Sequence, residues 1–120
     1  MAQRVAAADI ERVFDAWRVT RPRPALCRLT EDRRATIRAR IRLGYTADDL
    51  IAVIEYLLQA DEPDPRWMRG HNPGRRAYLD LENMLRRQRL GERVESAALW
   101  RERGALDADA DVIPPRVLDE

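Results

Sequence analysis

The sequence predicts an all-α fold: a compact bundle of about five helices followed by a disordered acidic tail. Three observations predict it. Apolar residues recur at helical spacing in several stretches, while Pro, Gly and N-cap residues separate those stretches. No stretch reads as a β-strand. The 120 residues suffice for one domain but not for two ordinary ones, so we expect a helical domain over 1–104 and the tail over 105–120.

The first two helices are predicted from an apolar stripe and from their ends. The first covers about residues 6–18, and its stripe at i, i+3, i+4 and i+7 consists of Ile10, Val13, Phe14 and Trp17. Pro22 and Pro24 end it. The second begins after the N-cap Thr30 and runs to about Leu43, with Gly44 as the residue that closes it.

The third helix, about residues 47–60, is the most apolar and should be central to the core. Thr46 and Asp49 have the spacing of a capping box at its start. Its apolar residues cover more than half of its circumference. Residues 61–65 contain two prolines and predict a break in helical structure.

The remaining helices are predicted from turn formers. Residues 66–75 mix apolar side chains with Gly, Asn and Pro and predict an ordered loop held by Trp67 and Met68. Asn72 and Pro73 fit the N-cap and first position of a fourth helix that ends at Gly91. A last helix is expected from about residue 92 to residue 103.

Positive and negative charges are unevenly distributed along the chain. All 22 basic residues are Arg. Residues 105–120 carry a net charge of −4, which leaves +5 on residues 1–104. A basic body with an acidic tail is common in nucleic-acid-binding proteins, although an Arg-rich solvated surface with a charged terminus explains it equally well.

The residues argue against an enzyme. His71 is the only histidine, and it has no Ser or Cys partner at a recognisable spacing. Cys27 and His71 are too few for a metal site, and no glycine-rich phosphate loop is present. We therefore predict no catalytic residue, no metal and no cofactor.

The expected location is the cytoplasm. No apolar run approaches the ~20 residues of a membrane span, and residues 1–9 contain no apolar core of a signal peptide. A single cysteine suits a reducing compartment. We expect no membrane partner, while the oligomeric state stays open, with a homo-oligomer as one possibility.

The Arg-rich face of the second helix is the first candidate for nucleic-acid contact, because phosphate binding needs only charge and reach. The candidates are Arg33, Arg34, Arg38 and Arg42. The second and third helices also have the spacing of a helix-turn-helix. The apolar breadth of the third helix counts against its lying in a major groove, since a recognition helix needs a polar face.

Five short segments, in order, resemble the helical C-terminal domain of phage replication proteins of the replisome-organiser and O-protein type. About 70 residues are covered. The segments are Val13-Phe-Asp-Ala-Trp17, Leu29-Thr-Glu-Asp-Arg-Arg-Ala-Thr-Ile-Arg-Ala-Arg40, Gly44-Tyr-Thr-Ala-Asp-Asp-Leu50, Trp67-Met-Arg-Gly-His-Asn72 and Tyr78-Leu-Asp-Leu-Glu82.

The resemblance implies a non-enzymatic domain that helps to assemble a replisome by contacting single-stranded DNA, the replicative helicase or its loader. The winged-helix origin-binding domain of that family has no counterpart in these 120 residues. Two rival hypotheses are a small helix-turn-helix regulator that binds duplex DNA and a phage inhibitor or adaptor of a host protein.

The loop of this resemblance supplies the second group of candidates for nucleic-acid contact. One hypothesis makes it a platform on which a base stacks beside phosphate-binding arginines. Its residues are Arg66, Trp67, Arg69, Arg75 and Arg76. The alternative is structural: Trp67 fills the loop, Gly70 adopts a positive φ, Asn72 caps a helix and Tyr78 lies in the core.

Overall fold

A central helix organises the fold, and most of the other helices pack on it. The computed structural model describes residues 5–112, with side chains to residue 105. The six α-helices in this range are α1 (Ala7–Arg18), α2 (Glu31–Arg42), α3 (Ala47–Gln59), α4 (Pro63–Met68), α5 (Leu81–Met84) and α6 (Arg87–Val112). Residues 5–112 contain no β-strand, so the all-α prediction is confirmed.

Helix α3 is the core helix, as its sequence predicts. It contacts α1, α4, α5 and α6, and its side chains at Leu50, Val53 and Ile54 are fully buried. The capping box at its start is present: the Thr46 hydroxyl accepts from the Asp49 amide, and the Asp49 carboxylate accepts from the Thr46 amide. Both exchanges satisfy backbone N–H groups that the first turn of a helix leaves unpaired.

Helices α1 and α2 also begin and end close to their predicted bounds. The four stripe residues of α1 are all buried, and α2 buries Ile37 and Ile41. The Thr30 hydroxyl accepts from the Arg33 amide at 3.2 Å and so caps α2. Gly44 has φ +113°, a conformation in which a Cβ is strained, so glycine is the residue suited to end α2 there.

The prediction of a break over residues 61–65 is only partly right, because helix α4 begins at Pro63. Proline at the first position of a helix costs nothing, since its missing N–H would have no acceptor there. Pro65 and Met68 are buried, and α4 packs on α3. The two prolines therefore start a short helix instead of preventing one.

The prediction of a fourth helix starting at Asn72 and Pro73 is wrong. The Asn72 side chain instead closes a loop: its amide nitrogen donates to the carbonyls of Trp67 and Arg76 at 2.8 and 2.7 Å, and its oxygen accepts from the Arg76 amide. Arg75 has φ +52°, which no α-helix allows. The next helix, α5, begins only after Asp80, whose carboxylate accepts from the Asn83 amide.

The prediction that Gly91 ends a helix is also wrong, because Gly91 lies inside α6. This helix starts at Arg87 and its backbone continues to Val112, past residue 104 where the sequence predicts the helical domain to end. Leu90 and Ala97 of α6 are fully buried, and the helix packs along α3. Residues 113–120 of the predicted acidic tail lie outside the described residues.

Candidate nucleic-acid interface

An open groove of about 1370 Å³ lies where α4, the segment 78–85 and the start of α6 meet. Five arginines and two acids contribute its charged lining. The arginines are Arg40, Arg86, Arg87, Arg89 and Arg93, and the acids are Asp64 and Glu82. Arg40 comes from α2, so the groove combines residues that are far apart in the sequence. Its charge excess is positive, which suits an anionic ligand.

Two stacked aromatic rings form one wall of the groove. The ring centroids of Trp67 and Tyr78 are 5.1 Å apart and the rings are inclined by 14°. Trp67 is 46% exposed, whereas Tyr78 is half-buried. The backbone around Tyr78 is fixed because its amide donates to the Met68 carbonyl at 2.8 Å. Tyr78 thus holds the indole from behind and leaves part of it open to solvent.

The wall is supported by the loop that Asn72 closes. Gly70 follows α4 with φ +112°, and its amide donates to the Trp67 carbonyl. A Cβ at this position would also approach the backbone of Arg75, Arg76 and Ala77 at 3.8–4.0 Å. The sequence prediction of a positive φ at Gly70 is therefore confirmed. The structural interpretation of Trp67 accounts for the part of the ring that stacks on Tyr78, and the functional interpretation uses the part that is exposed.

The floor of the groove is fixed by Arg93, which is only 4% exposed. Its guanidinium donates to both carboxylate oxygens of Asp64, at 2.8 and 3.2 Å. It also donates to the carbonyls of Asn83 and Met84 at 2.8 and 3.1 Å. The buried Arg93 guanidinium is thus paired with a carboxylate and hydrogen-bonded to two carbonyls. A buried charge needs both kinds of partner to be tolerated in a folded protein. Arg93 ties α4, α5 and α6 together.

Arg40 reaches the groove from α2 and is held by one strong hydrogen bond. Its Nε donates to the Leu85 carbonyl at 2.6 Å. Burial of the side chain and repulsion from the Arg87 guanidinium lower the pKa of Arg40, and Glu82 opposes the change.

The rim of the groove consists of exposed residues at the start of α6, namely Arg86, Arg87, Gln88 and Arg89. Arg89 lies 3.6 Å from Asp64 and 3.5 Å from Glu92. Among the described side chains, Arg86 and Arg87 form no ion pair. Exposed arginines of this kind keep their donors available to a phosphate.

The structure places the predicted arginines of α2 outside this groove. Arg33 donates to the Arg28 carbonyl and lies 4.8 Å from the centre of the buried Trp17 ring. Arg34 and Arg38 both lie 3.9 Å from the Glu31 carboxylate. Arg42 is exposed at the end of α2. These side chains share a helix but do not form one site with Trp67.

Some of the predicted arginines of the loop form hydrogen bonds or ion pairs within the protein, and the others are exposed to solvent. Arg69 donates to the carbonyls of Leu57 and Ala60 at 3.0 and 2.8 Å, so its guanidinium caps the end of α3. Arg66 pairs with Asp61 at 3.4 Å. Arg75 and Arg76 are exposed in the loop beyond Trp67. Of the nine predicted contact residues, Trp67 alone lines the groove.

Sequence reasoning missed the arginines that do line the groove. Arg86-Arg87-Gln88-Arg89 is the densest basic run of the chain, and that run was the available signal. The sequence predicts one helix over residues 73–90, which would spread these side chains around its circumference instead of grouping them on one surface. Arg40 could not be found in this way, since its place in the groove depends on the packing of α2 against α5.

Other kinds of site find little support in the described part of the chain. Residues 5–105 hold no cluster of three or more His, Cys, Asp or Glu side chains that could bind a metal ion. His71 is exposed beside the Asn72 loop. None of the helices described is long and apolar enough to cross a membrane.

Comparison with known proteins adds no relative. The chain matches no protein-family model, no curated protein and no solved structure. The resemblance to phage replication proteins therefore stays a prediction.

Proposed function

We propose that this chain is a non-enzymatic module that binds single-stranded nucleic acid in the groove between α4, α5 and α6. One observation carries the proposal: a half-exposed Trp67, stacked on Tyr78, lines the same groove as the exposed Arg86, Arg87 and Arg89. Proteins that bind single strands combine these two elements, an aromatic face for bases and a positive groove for the backbone.

The aromatic wall suits an unpaired base. Tyr78 already covers one part of Trp67, so the indole is preorganised and little side-chain entropy is lost when a base stacks on its open part. Stacking of this kind accepts any base, because every base has a flat π face. The bases of a duplex are stacked on each other, so we expect single strands to bind more tightly than duplex.

The exposed arginines suit the phosphate backbone. A guanidinium offers a planar set of donors that matches two phosphate oxygens at once. Arg86 and Arg87 are adjacent in sequence at the start of α6, so they can contact successive phosphates while a base rests on Trp67. The affinity should therefore fall steeply with salt, because binding releases counterions from the strand.

A role in replication is the biological setting that we propose for this binding. It rests on the resemblance to the helical domain of phage replisome-organiser and O-type proteins, which implies a domain that helps to assemble a replisome. The replicative helicase or its loader is accordingly the protein partner that we propose.

The rival hypotheses depend on other surfaces. A helix-turn-helix regulator would use α3 as its recognition helix, but α3 is buried against α1, α4 and α6. An adaptor would use an exposed apolar patch, for which the most exposed large apolar residues are Leu26, Val19 and Leu99, at 70%, 65% and 55%. Trp100 beside Leu99 is partly buried and packs edge-on against Tyr56.

The test measures the fluorescence anisotropy of a labelled oligothymidine and of a labelled duplex of equal length. We expect the single strand to bind more tightly. Trp67→Ala should weaken its binding by about 1–3 kcal/mol, the worth of one base stacked on an aromatic ring. Folding should survive this change, because the indole is half exposed. Circular dichroism checks that.

Leu99→Ala is the matched control, since it also removes a large exposed apolar side chain but lies outside the groove. It should leave the affinity unchanged. The proposal fails if neither single strand nor duplex binds at low salt, or if a folded Trp67→Ala binds as tightly as wild type.

A further inference from the structure

The segment that joins α1 to α2 combines exposed apolar side chains with positive charge. Leu26 and Val19 have the highest exposed fractions of any large apolar residue among the described side chains. Residues 16–30 also contain four arginines and no acidic residue. A single exposed leucine is ordinary on a protein surface. Two such residues in one short basic segment indicate a surface that a partner covers.

The backbone around Leu26 is held in one conformation. Pro24–Leu26 form a turn of 3₁₀ helix, in which the Leu26 amide donates to the Arg23 carbonyl at 3.0 Å. The Cys27 amide donates to the Pro24 carbonyl at the same distance. Leu26 is thus presented on a preformed turn between the exposed Arg23 and Arg28. Because the turn is already ordered, a partner that covers Leu26 pays little entropy for ordering the loop.

Two further arginines are fixed beside this turn by a buried tryptophan. The guanidinium carbons of Arg21 and Arg33 lie 5.3 and 4.8 Å from the centre of the Trp17 ring. Arg21 also donates to the Leu79 carbonyl at 3.2 Å. Arg33 donates to the Arg28 carbonyl at 2.6 Å, which places it next to the turn. The buried Arg21 Nε has no acceptor among the described residues, so a carboxylate that reaches it breaks no hydrogen bond of that atom.

The acidic residues that border this segment have other partners. Asp15 lies 3.3 Å from Arg18, and Glu31 lies 3.9 Å from two arginines of α2. Asp32 is in the first turn of α2, where the helix end stabilises a negative charge. Among the described side chains, four arginines of this region form no ion pair, namely Arg21, Arg23, Arg28 and Arg33. Their positive charge is therefore available to an acidic partner.

We propose that this region docks an acidic segment of a partner protein that also carries apolar side chains. Carboxylates of the partner accept from the guanidinium groups, and an apolar side chain of the partner covers Leu26. The inference goes beyond nucleic-acid binding and does not depend on it, because none of these residues lines the groove. The residues of this α1–α2 surface are Arg21, Arg23, Leu26, Arg28 and Arg33.

An acidic peptide suits the α1–α2 surface better than a nucleic-acid strand does. The Trp17 ring beneath the surface is 3% exposed and already carries two guanidinium groups, so a base cannot stack on it. Phosphates would use the arginines but would leave Leu26 in water. A peptide with both acidic and apolar side chains uses the two kinds of residue together.

The test measures the fluorescence anisotropy of two labelled synthetic peptides at low salt. In the first peptide Glu alternates with Leu, and in the second Ser replaces every Leu. We expect the Glu-Leu peptide to bind more tightly. Leu26→Ser should weaken its binding by about tenfold, the effect of burying much of one leucine side chain. Leu99→Ser removes an exposed leucine on α6 and should keep the wild-type affinity.

Two double variants test the contribution of charge. Arg23→Gln with Arg28→Gln should weaken both peptides by at least about twofold, because two exposed ion pairs are lost. Arg86→Gln with Arg87→Gln removes the same charge at the groove and should leave peptide binding as in wild type. For labelled oligothymidine the order reverses, since only the groove pair should weaken that binding.

Several results would overturn the proposal. Wild type would bind neither peptide, or it would bind both equally, which means that charge alone attracts them. A folded Leu26→Ser would keep the full affinity for the Glu-Leu peptide. Weaker oligothymidine binding in the Arg23 and Arg28 double variant would assign the surface to nucleic acid instead. A wild-type dimer that Leu26→Ser dissociates would assign it to a second copy of the chain.

The two proposals fail separately. Binding of the Glu-Leu peptide without binding of oligothymidine supports the α1–α2 surface and refutes the proposed function. Oligothymidine binding without peptide binding does the reverse.

Discussion

At the scale of single residues, arginine has three different structural roles in this protein. Arg93 is buried and holds three helices together, Arg69 caps the end of α3, and Arg87 is exposed at the groove. All three are arginines in arginine-rich stretches, so their roles cannot be told apart from the local amino-acid composition. The distinction comes from which carbonyl or carboxylate the fold brings within 3 Å.

The clearest residue-scale prediction concerns the carboxylate that pairs with Arg93. Asp64→Ala leaves a guanidinium that is 4% exposed without its counter-charge. Removing one partner of such a pair costs about 3–5 kcal/mol, because an unpaired charge stays in the interior. Urea unfolding measures the loss.

Asp61→Ala is the matched control for Asp64→Ala. Asp61 is 88% exposed and pairs with the exposed Arg66, so its removal should cost no more than about 1 kcal/mol. Equal losses in the two variants would show that the Arg93 pair is not what fixes the floor of the groove.

Tyr56 gives a pH prediction. Burial, with a hydrogen bond from its hydroxyl to Glu62 at 2.7 Å, raises the pKa of Tyr56 from 10.0 to about 12. Between these values the unfolded chain has lost the phenol proton and the folded protein keeps it. The free energy of unfolding is therefore intact below about pH 10 and falls as the pH rises toward 12.

The change should be on the order of 2 kcal/mol, and Tyr56→Phe should lack it. The measurement is urea unfolding of both proteins at about pH 9 and about pH 11.5, within the range where this linkage acts. A wild type that loses no more stability than Tyr56→Phe over that interval would contradict the burial of a neutral Tyr56.

At the scale of elements, capping chemistry decided how much could be predicted. Helices α2 and α3 follow from local rules because Thr30, Thr46 and Gly44 act on residues within one turn. Helix α1 has no side-chain cap and follows from its apolar stripe alone. The helix bounds within residues 61–91 do not follow from local rules. The Asn72 side chain can either cap a helix or close a loop, and it closes a loop here because the carbonyls of Trp67 and Arg76 lie within hydrogen-bond distance. Local sequence cannot decide between two uses of the same side chain.

A substitution at Gly91 tests whether α6 begins at Arg87 and continues through this position. Inside a helix, Gly91→Ala should stabilise the protein by about 0.5–1 kcal/mol, since alanine costs less conformational entropy. The added Cβ would meet only the Tyr45 hydroxyl, at 3.4 Å. Thermal unfolding measures the change.

Gly44→Ala is the matched control and should destabilise, because φ at Gly44 is +113°. If Gly91→Ala destabilised as much as Gly44→Ala, Gly91 would end a helix as the sequence predicts, and the single helix α6 would be refuted.

At the scale of the whole molecule, the groove is a product of packing. Arg40, Trp67, Tyr78 and Arg87 lie on separate segments and meet only because α2 packs on α5 while α4, α5 and α6 pack on α3. The sequence predicts a basic body and identifies Trp67, which needs only local reasoning. It cannot predict which arginines join Trp67, since that depends on contacts between residues far apart in the sequence, such as Arg93 with Asp64, 29 positions away, and Arg40 with Leu85, 45 positions away.

The most direct test of the central claim compares two charge-matched double variants. The measured quantity is the slope of log affinity for oligothymidine against log salt concentration. Arg86→Gln with Arg87→Gln removes two groove arginines, whereas Arg23→Gln with Arg28→Gln removes two exposed arginines outside it. Each phosphate contact on a single strand contributes about 0.7 to the slope.

The groove double variant should therefore bind more weakly than wild type and lose about 1.4 from the magnitude of the slope. The control pair should keep the wild-type slope. Equal losses in both double variants would mean that the strand responds to total charge alone, and that the groove beside Trp67 is not the binding site.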